Sequence, residues 1–354
     1  MALTPISIQS EYLFRFLQSQ YDYINSNPRG TGIPHVDPKI FWKIKLPIAP
    51  YNEQRRIVAK LEKLLAKVDN CKERLKKIPT LLKRFRQSVI AAACSGDLTA
   101  DWRKKRSVNH HWQRAKLKDA ADQIQIGPFG SLLHKSDYVD NKISVINPTH
   151  IKNGEIIPAK NITINALKKS ELKRYVLQEG DVVVARRGEM GRCAVVRNGQ
   201  DGWVCGTGSL FVRPGSEILS DYLQILISSP IVIKNLERDS VGSTMTNLNQ
   251  KIFSNIEIDL PTIQEQKELI QRVRELFKIA DQIEARYHKA KAHVEKLTQS
   301  ILAKAFRGEL VPQDPSDPPA SELLKQIKAE KEKQQAELKS KKNPKQRAKR
   351  KKRK

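Results

Sequence analysis

Long apolar runs are missing from this sequence. The longest, Val89 to Cys94, has six residues, far short of the ~20 that a membrane-spanning helix needs. The opening, MALTPISIQSEYLFRF, has neither the basic start nor the apolar stretch of a signal peptide. Cysteine is scarce. Cys71, Cys94, Cys193 and Cys205 form no CxxC pair, which argues against a zinc ribbon or a disulfide scaffold and for reduced structural thiols in a cytoplasmic protein. Acidic side chains are few, 38 against 65 Lys and Arg, so the 354 residues carry a net charge of +27. That excess points to a polyanionic partner.

Catalytic motifs are missing as well. There is no Walker A loop, no GxGxxG after a strand, no HExxH and no acidic cluster for two metal ions. Asn147-Pro148-Thr149-His150 lacks the second proline and the aromatic that adenine methyltransferases use to stack a flipped base, and reads as a turn. His110-His111 reads as linker. By itself the chain is expected to be no enzyme, with no metal site.

What is present begins with a repeat. Sliding the chain by 212 residues superposes Ile40-Phe41 on Ile252-Phe253, Glu53-Gln54 on Glu265-Gln266, Gln87-Ser88 on Gln299-Ser300 and Gly96 on Gly308. Both copies carry apolar residues spaced alternately by four and three. The first stripe includes Ile57, Leu61, Leu64, Val68, Leu75 and Leu82. The second includes Leu269, Val273, Leu276, Ile283, Val294 and Leu297. A 3.5-residue repeat keeps one seam against a partner helix, so two helices of ~60 Å, about 53–93 and 265–305, are expected to form a coiled-coil pair. Pro79 is expected to kink the first. Both helices are net basic, and a flank of that kind reads as a track for a duplex backbone, a docking surface for an acidic partner or a solvated face.

Between them, strand signals at 143–146, 181–185, 193–196 and 209–212, with glycine turns such as Asn153-Gly154 and a helix near 220–229, predict a compact α+β domain. Ser10-Glu11-Tyr12-Leu13 matches Ser220-Asp221-Tyr222-Leu223 at an offset of 210, and Gly30-Thr31 falls near Gly242-Ser243. The chain therefore reads as opening inside a first copy of that domain, about 99 residues short of a whole repeat. The expected organisation is a domain remnant at 1–46, a helix at 47–98, a linker at 99–111, a complete domain at 112–259, a second helix at 260–311, and a proline linker with a disordered basic tail at 312–354. Residues 325–354 alone carry +12. Such a run reads either as a solvated extension or as an electrostatic arm for nucleic acid.

Two loops offer groups for DNA. GDVVVARRGEMGR at 180–192 ends a strand in Arg186 and Arg187, with Arg192 close by. Arginine forks suit phosphate oxygens and the guanine edge. GPFGSLLHKSDY at 127–138 supplies Ser131, His134 and Lys135, with Phe129 expected to pack inside.

Leu46-Pro47, Glu53-Gln54, Gln87-Ser88-Val89, Gly96-Asp97-Leu98 and Thr99-Ala100-Asp101-Trp102-Arg103, together with GPFGS at 127–131 and GDVVVARRG at 180–188, resemble conserved regions of type I restriction–modification specificity (S) subunits. The resemblance spans about residues 10–312. It implies a non-catalytic subunit whose target-recognition domains each read half of a split site in double-stranded DNA. It also implies that the helix pair separates two such domains and docks two methyltransferase (M) subunits. S-adenosylmethionine, ATP and Mg would be bound by M and restriction (R) subunits, leaving this chain without cofactors. The short first domain departs from the family pattern. It leaves open a homodimer of half-subunits reading a palindromic split site, or an inactive gene fragment. A general coiled-coil nucleic-acid-binding protein that relies on its tail is the alternative outside the family.

Overall fold

The computed structural model describes residues 5–26, 28–29, 35–108, 112–239 and 248–351. His110-His111, Gly30-Thr31 and Gly242-Ser243 lie outside them. Two compact units are present: Pro79–Glu284, and Met1–Ile78 with Ala285–Lys354.

Two long helices, Tyr51–Ser95 and Ile263–Phe306, each begin in one unit and end in the other. They pack antiparallel within both. In the larger unit Val89 and Ala93 share a core with Leu269, Ile270 and Val273, and Arg86 reaches Asp281 and Glu284, each at 2.7 Å. In the smaller unit Ile57, Val58, Leu61 and Leu65 share a core with Leu302 and Ala305, and Lys72 donates to Thr298 at 3.2 Å. Of the expected seam, Ile57, Leu61, Val68, Leu82, Leu269 and Val273 are buried, while Leu64, Leu75, Leu276, Val294 and Leu297 are half-buried. Ile283 departs from it and stays 41% exposed. The stripe is wider at the helix ends than a strict seam, because Val58, Leu65 and Ile270 are buried beside it to meet the cores there. The first helix runs unbroken through Pro79.

In the larger unit a four-stranded antiparallel sheet forms the centre, in the order Cys193–Val195, Val182–Ala185, Ser209–Pro214, Ala121–Ile126. Side chains alternate along a strand, and here both faces are covered. Val182, Val184, Leu210 and Val212 face the core that holds Tyr222, Leu223 and the long helices. Val183, Ala185, Ala194 and Phe211 face Ile146, Ile151, Ile156, Leu177 and Cys205. Continuous burial is why Val182-Val183-Val184-Ala185 reads as an unbroken apolar run. Ile151–Lys152 and Glu155–Ile156 form a hairpin. Its turn, Asn153-Gly154, puts both residues at positive φ, as a two-residue hairpin loop requires. Strand Gln113–Lys116 pairs antiparallel with Glu257–Leu260, so the domain's two chain ends lie side by side.

Where each domain end meets a long helix, the same joint is built twice. Tyr222 donates its hydroxyl hydrogen to the Asp259 carbonyl (3.1 Å), as Tyr12 does to Pro47 (2.9 Å). Gln266 accepts from the Leu219 N–H (2.8 Å) and donates to the Pro261 carbonyl (2.9 Å). Gln54 accepts from the Gln9 N–H (3.1 Å) and donates to the Ala49 carbonyl (2.9 Å). The larger unit adds a buried ion pair. Glu265 accepts from Arg103 (2.5 Å), Thr99 (2.7 Å) and the Trp112 indole (3.1 Å).

The tail departs from expectation. Residues Ala320–Lys351 form a helix. Its first half mixes Glu with Lys, Gln, Ala and Leu, all good helix formers. Its root is tied down by buried Leu323 and by a hydrogen bond from Ser7 to Glu330.

Candidate nucleic-acid interface

Antiparallel pairing brings three chain turns to one end of the central sheet. Strand Ala121–Ile126 runs out into the 127–131 loop, Val182–Ala185 runs out into the 186–192 loop, and Ser209–Pro214 enters from the 206–208 turn between them. The middle turn holds both neighbours. The Gly127 N–H donates to the Ser209 carbonyl (2.9 Å) and the Arg186 N–H to the Gly208 carbonyl (3.0 Å). Gly127 is required here, since a Cβ would stand 2.0 Å from the Gly206 carbonyl oxygen. At the far side, Gly191 takes a positive φ where a Cβ would strike Ile233.

The proposed DNA residues separate on this frame. Ser131, Lys135 and Arg187 are exposed. Arg186 is buried, and its guanidinium is spent on the Leu248 carbonyl (2.8 Å) and the Thr207 carbonyl (3.5 Å). Burial, with Arg187 beside it, pulls its pKa below the ordinary arginine value. It braces the loop from within. Arg192 is half-buried, and its Nε has no hydrogen-bond partner among the described residues.

Sequence reasoning missed two contributors. Phe129, expected inside, is 67% exposed. The strand has ended at Ile126, so the loop that follows turns away from the core. Arg174 is exposed and donates to Gln125 (2.9 Å), one residue before that strand's end. No local motif marks it, because the contact spans 49 residues of chain.

Asn147-Pro148-Thr149-His150 is the turn expected, a 3₁₀ turn at Pro148–His150 in which the Asn147 N–H donates to His150 Nδ1 (3.2 Å). Burial pushes the thiols of Cys94 and Cys193 up to about 12 and that of Cys205 higher still, so they stay protonated and inert. Among the described residues no helix is long and apolar enough to cross a membrane.

The frame gathers these loops at one sheet end, and sequence comparison defines the class. The model of the type I restriction modification DNA specificity domain matches residues 1–80 and 109–291, well over half of the chain. These are proteins that recognise DNA sequence. The chain belongs to the specificity subunits of type I restriction–modification systems. It is 32% identical over 345 residues to the EcoBI specificity subunit of Escherichia coli, covering 90% of this chain and 71% of the relative. It is 32% identical over 341 residues to the EcoKI specificity subunit of E. coli K12, covering 92% and 72%. In fold it is similar to the HsdS subunit of Thermoanaerobacter tengcongensis, with a TM-score of 0.53 at 22% identity over 84% of this chain and 70% of that one.

Proposed function

We propose that this subunit reads one element of a double-stranded DNA site through the loop-bearing sheet end and directs M and R subunits to it. The observation that carries this reading is the convergence of the 127–131 and 186–192 loops, with Arg187 and Arg174 exposed, on one braced edge; Lys135, exposed a few residues beyond the first loop, adds a further cation. Phosphate contacts from such cations position a duplex, and groups beside them read base edges. Two M subunits dock along the paired helices and supply S-adenosylmethionine chemistry. R subunits supply ATP- and Mg-dependent cleavage, in the cytoplasm where the DNA is. Exposed Phe14 (59%) and Trp42 (68%) on the smaller unit favour a further partner there, a second copy of this chain.

The test is co-expression with its M subunit in a methylation-free host, followed by mapping of methyladenine across the genome. The expected result is methylation at one recurrent sequence, lost when this chain is omitted and reduced at least tenfold by R187A. Methyl transfer by this chain without M, or methylation indifferent to its presence, overturns the reading. Light scattering on the same complex counts the copies of this chain.

A further inference from the structure

We propose that Phe129 is an apolar wedge that enters between base pairs of the duplex read at this sheet end; the inference rests on the DNA-reading function above. The 127–131 loop is braced at its base and bare at its tip. Gly127 is hydrogen-bonded to Ser209 and pressed against Gly206, so the base cannot shift. The Leu132 N–H returns to the Phe129 carbonyl (2.9 Å) and closes the tip. At Gly130 a Cβ would meet nothing within 4 Å among the described residues. That tip displays Phe129, 67% exposed, and Leu132, 45% exposed.

The setting selects the occupant. Arg187, on the 186–192 loop, and Arg174, bonded to Gln125 beside the strand's end, are exposed at the same sheet end. Duplex phosphates favour such cations, and a net charge of +27 adds to that attraction. A phenyl ring has no hydrogen-bonding group, so it cannot read a base edge. What it can do in a duplex is part a stacked step and kink the helix, as apolar side chains of DNA-bending proteins do. Steps differ in how easily they unstack, so the ring adds discrimination at a position that no arginine touches.

The experiment uses the full chain with its M subunit and duplexes carrying the mapped site. 2-Aminopurine is placed at successive positions, and end-labelled dyes report bending by energy transfer. Wild type and F129W are expected to raise 2-aminopurine fluorescence at one step and to shorten the end-to-end distance. F129A is expected to lose both signals and to bind the site about tenfold more weakly. Its melting temperature and the slope of log K against log salt should stay unchanged, since no phosphate contact is removed. Retention of both signals by F129A overturns the wedge. So does a variant that bends DNA normally but binds M poorly, which would assign the ring to a protein contact. A wild-type complex with no site preference overturns the reading of function, and the wedge with it.

Discussion

His150 is a buried imidazole that accepts a backbone hydrogen bond and therefore has to stay neutral in the fold. Burial is the main cause that lowers its pKa, with Lys152 adding to it. The unfolded chain takes up a proton below about 6.5 while the folded one does not. The contribution is thus complete above that pH and is lost as pH falls toward the folded value. The melting temperature of wild type is expected to drop between pH 7 and 5 more steeply than that of H150Q, as a thermal shift series measures. Arg186 and Arg187 make a second lesson at this scale. They are identical in chemistry and adjacent in sequence, yet one braces carbonyls and the other faces solvent. The sequence marks the pair as interesting but not the division of labour, because that depends on carbonyls 21 and 62 residues away. Phe129 was hidden by the opposite bias: an aromatic is assumed inside until a loop's direction is known.

Among the elements, the long helices were the most legible, since periodicity and a gapless repeat are local signals. Their ends fall within two residues of expectation. The short strands 182–185 and 193–195 were marked by apolar runs between glycines, and 143–146 by a β-branched run that stops at Asn147-Pro148. Their order in the sheet did not, because Ser209–Pro214 pairs with strands that lie far from it in the chain on both sides. The tail misled because a basic composition outweighed helix propensity in the reading. The joint carries the prediction for this scale. Gln266 satisfies Leu219, Glu217 and Pro261 at once from a buried site. Q266A strands those backbone groups, at about 1–3 kcal/mol for each that water does not reach. Denaturant titration is expected to show a loss of at least ~2 kcal/mol, with a smaller one for Q54A, which makes fewer bonds. Equal midpoints for wild type and Q266A would count against the joint as a structural lock.

At the scale of the molecule the dominant number is the net charge of +27, and its distribution is uneven. Residues 338–354 hold eleven Lys and Arg, no acid and no aromatic. A segment without aromatics has no platform for stacking single strands, so duplex phosphates are its natural partner. Counterion release gives a slope of about −0.9 per phosphate contact. If half of these cations touch DNA, removing 338–354 lowers the slope of log K against log salt by about 5, for site and non-site duplexes alike, in a fluorescence anisotropy series. An unchanged slope would make the segment a bystander.

The smaller unit is assembled from the two extremes of the chain. The Tyr12 ring rests edge-on against Phe306, 5.2 Å away, and Arg56 pairs with Asp317 across 261 residues. Residues 79–284, by contrast, are contiguous. Chains are synthesised from the amino-terminal side, so residues 5–78 emerge before the contiguous unit 79–284 but gain their partners from 285–317 only after it. The rings of Tyr12 and Phe16 wait for Phe306 while two hundred later residues emerge, so half of this unit's core stays uncovered through most of synthesis.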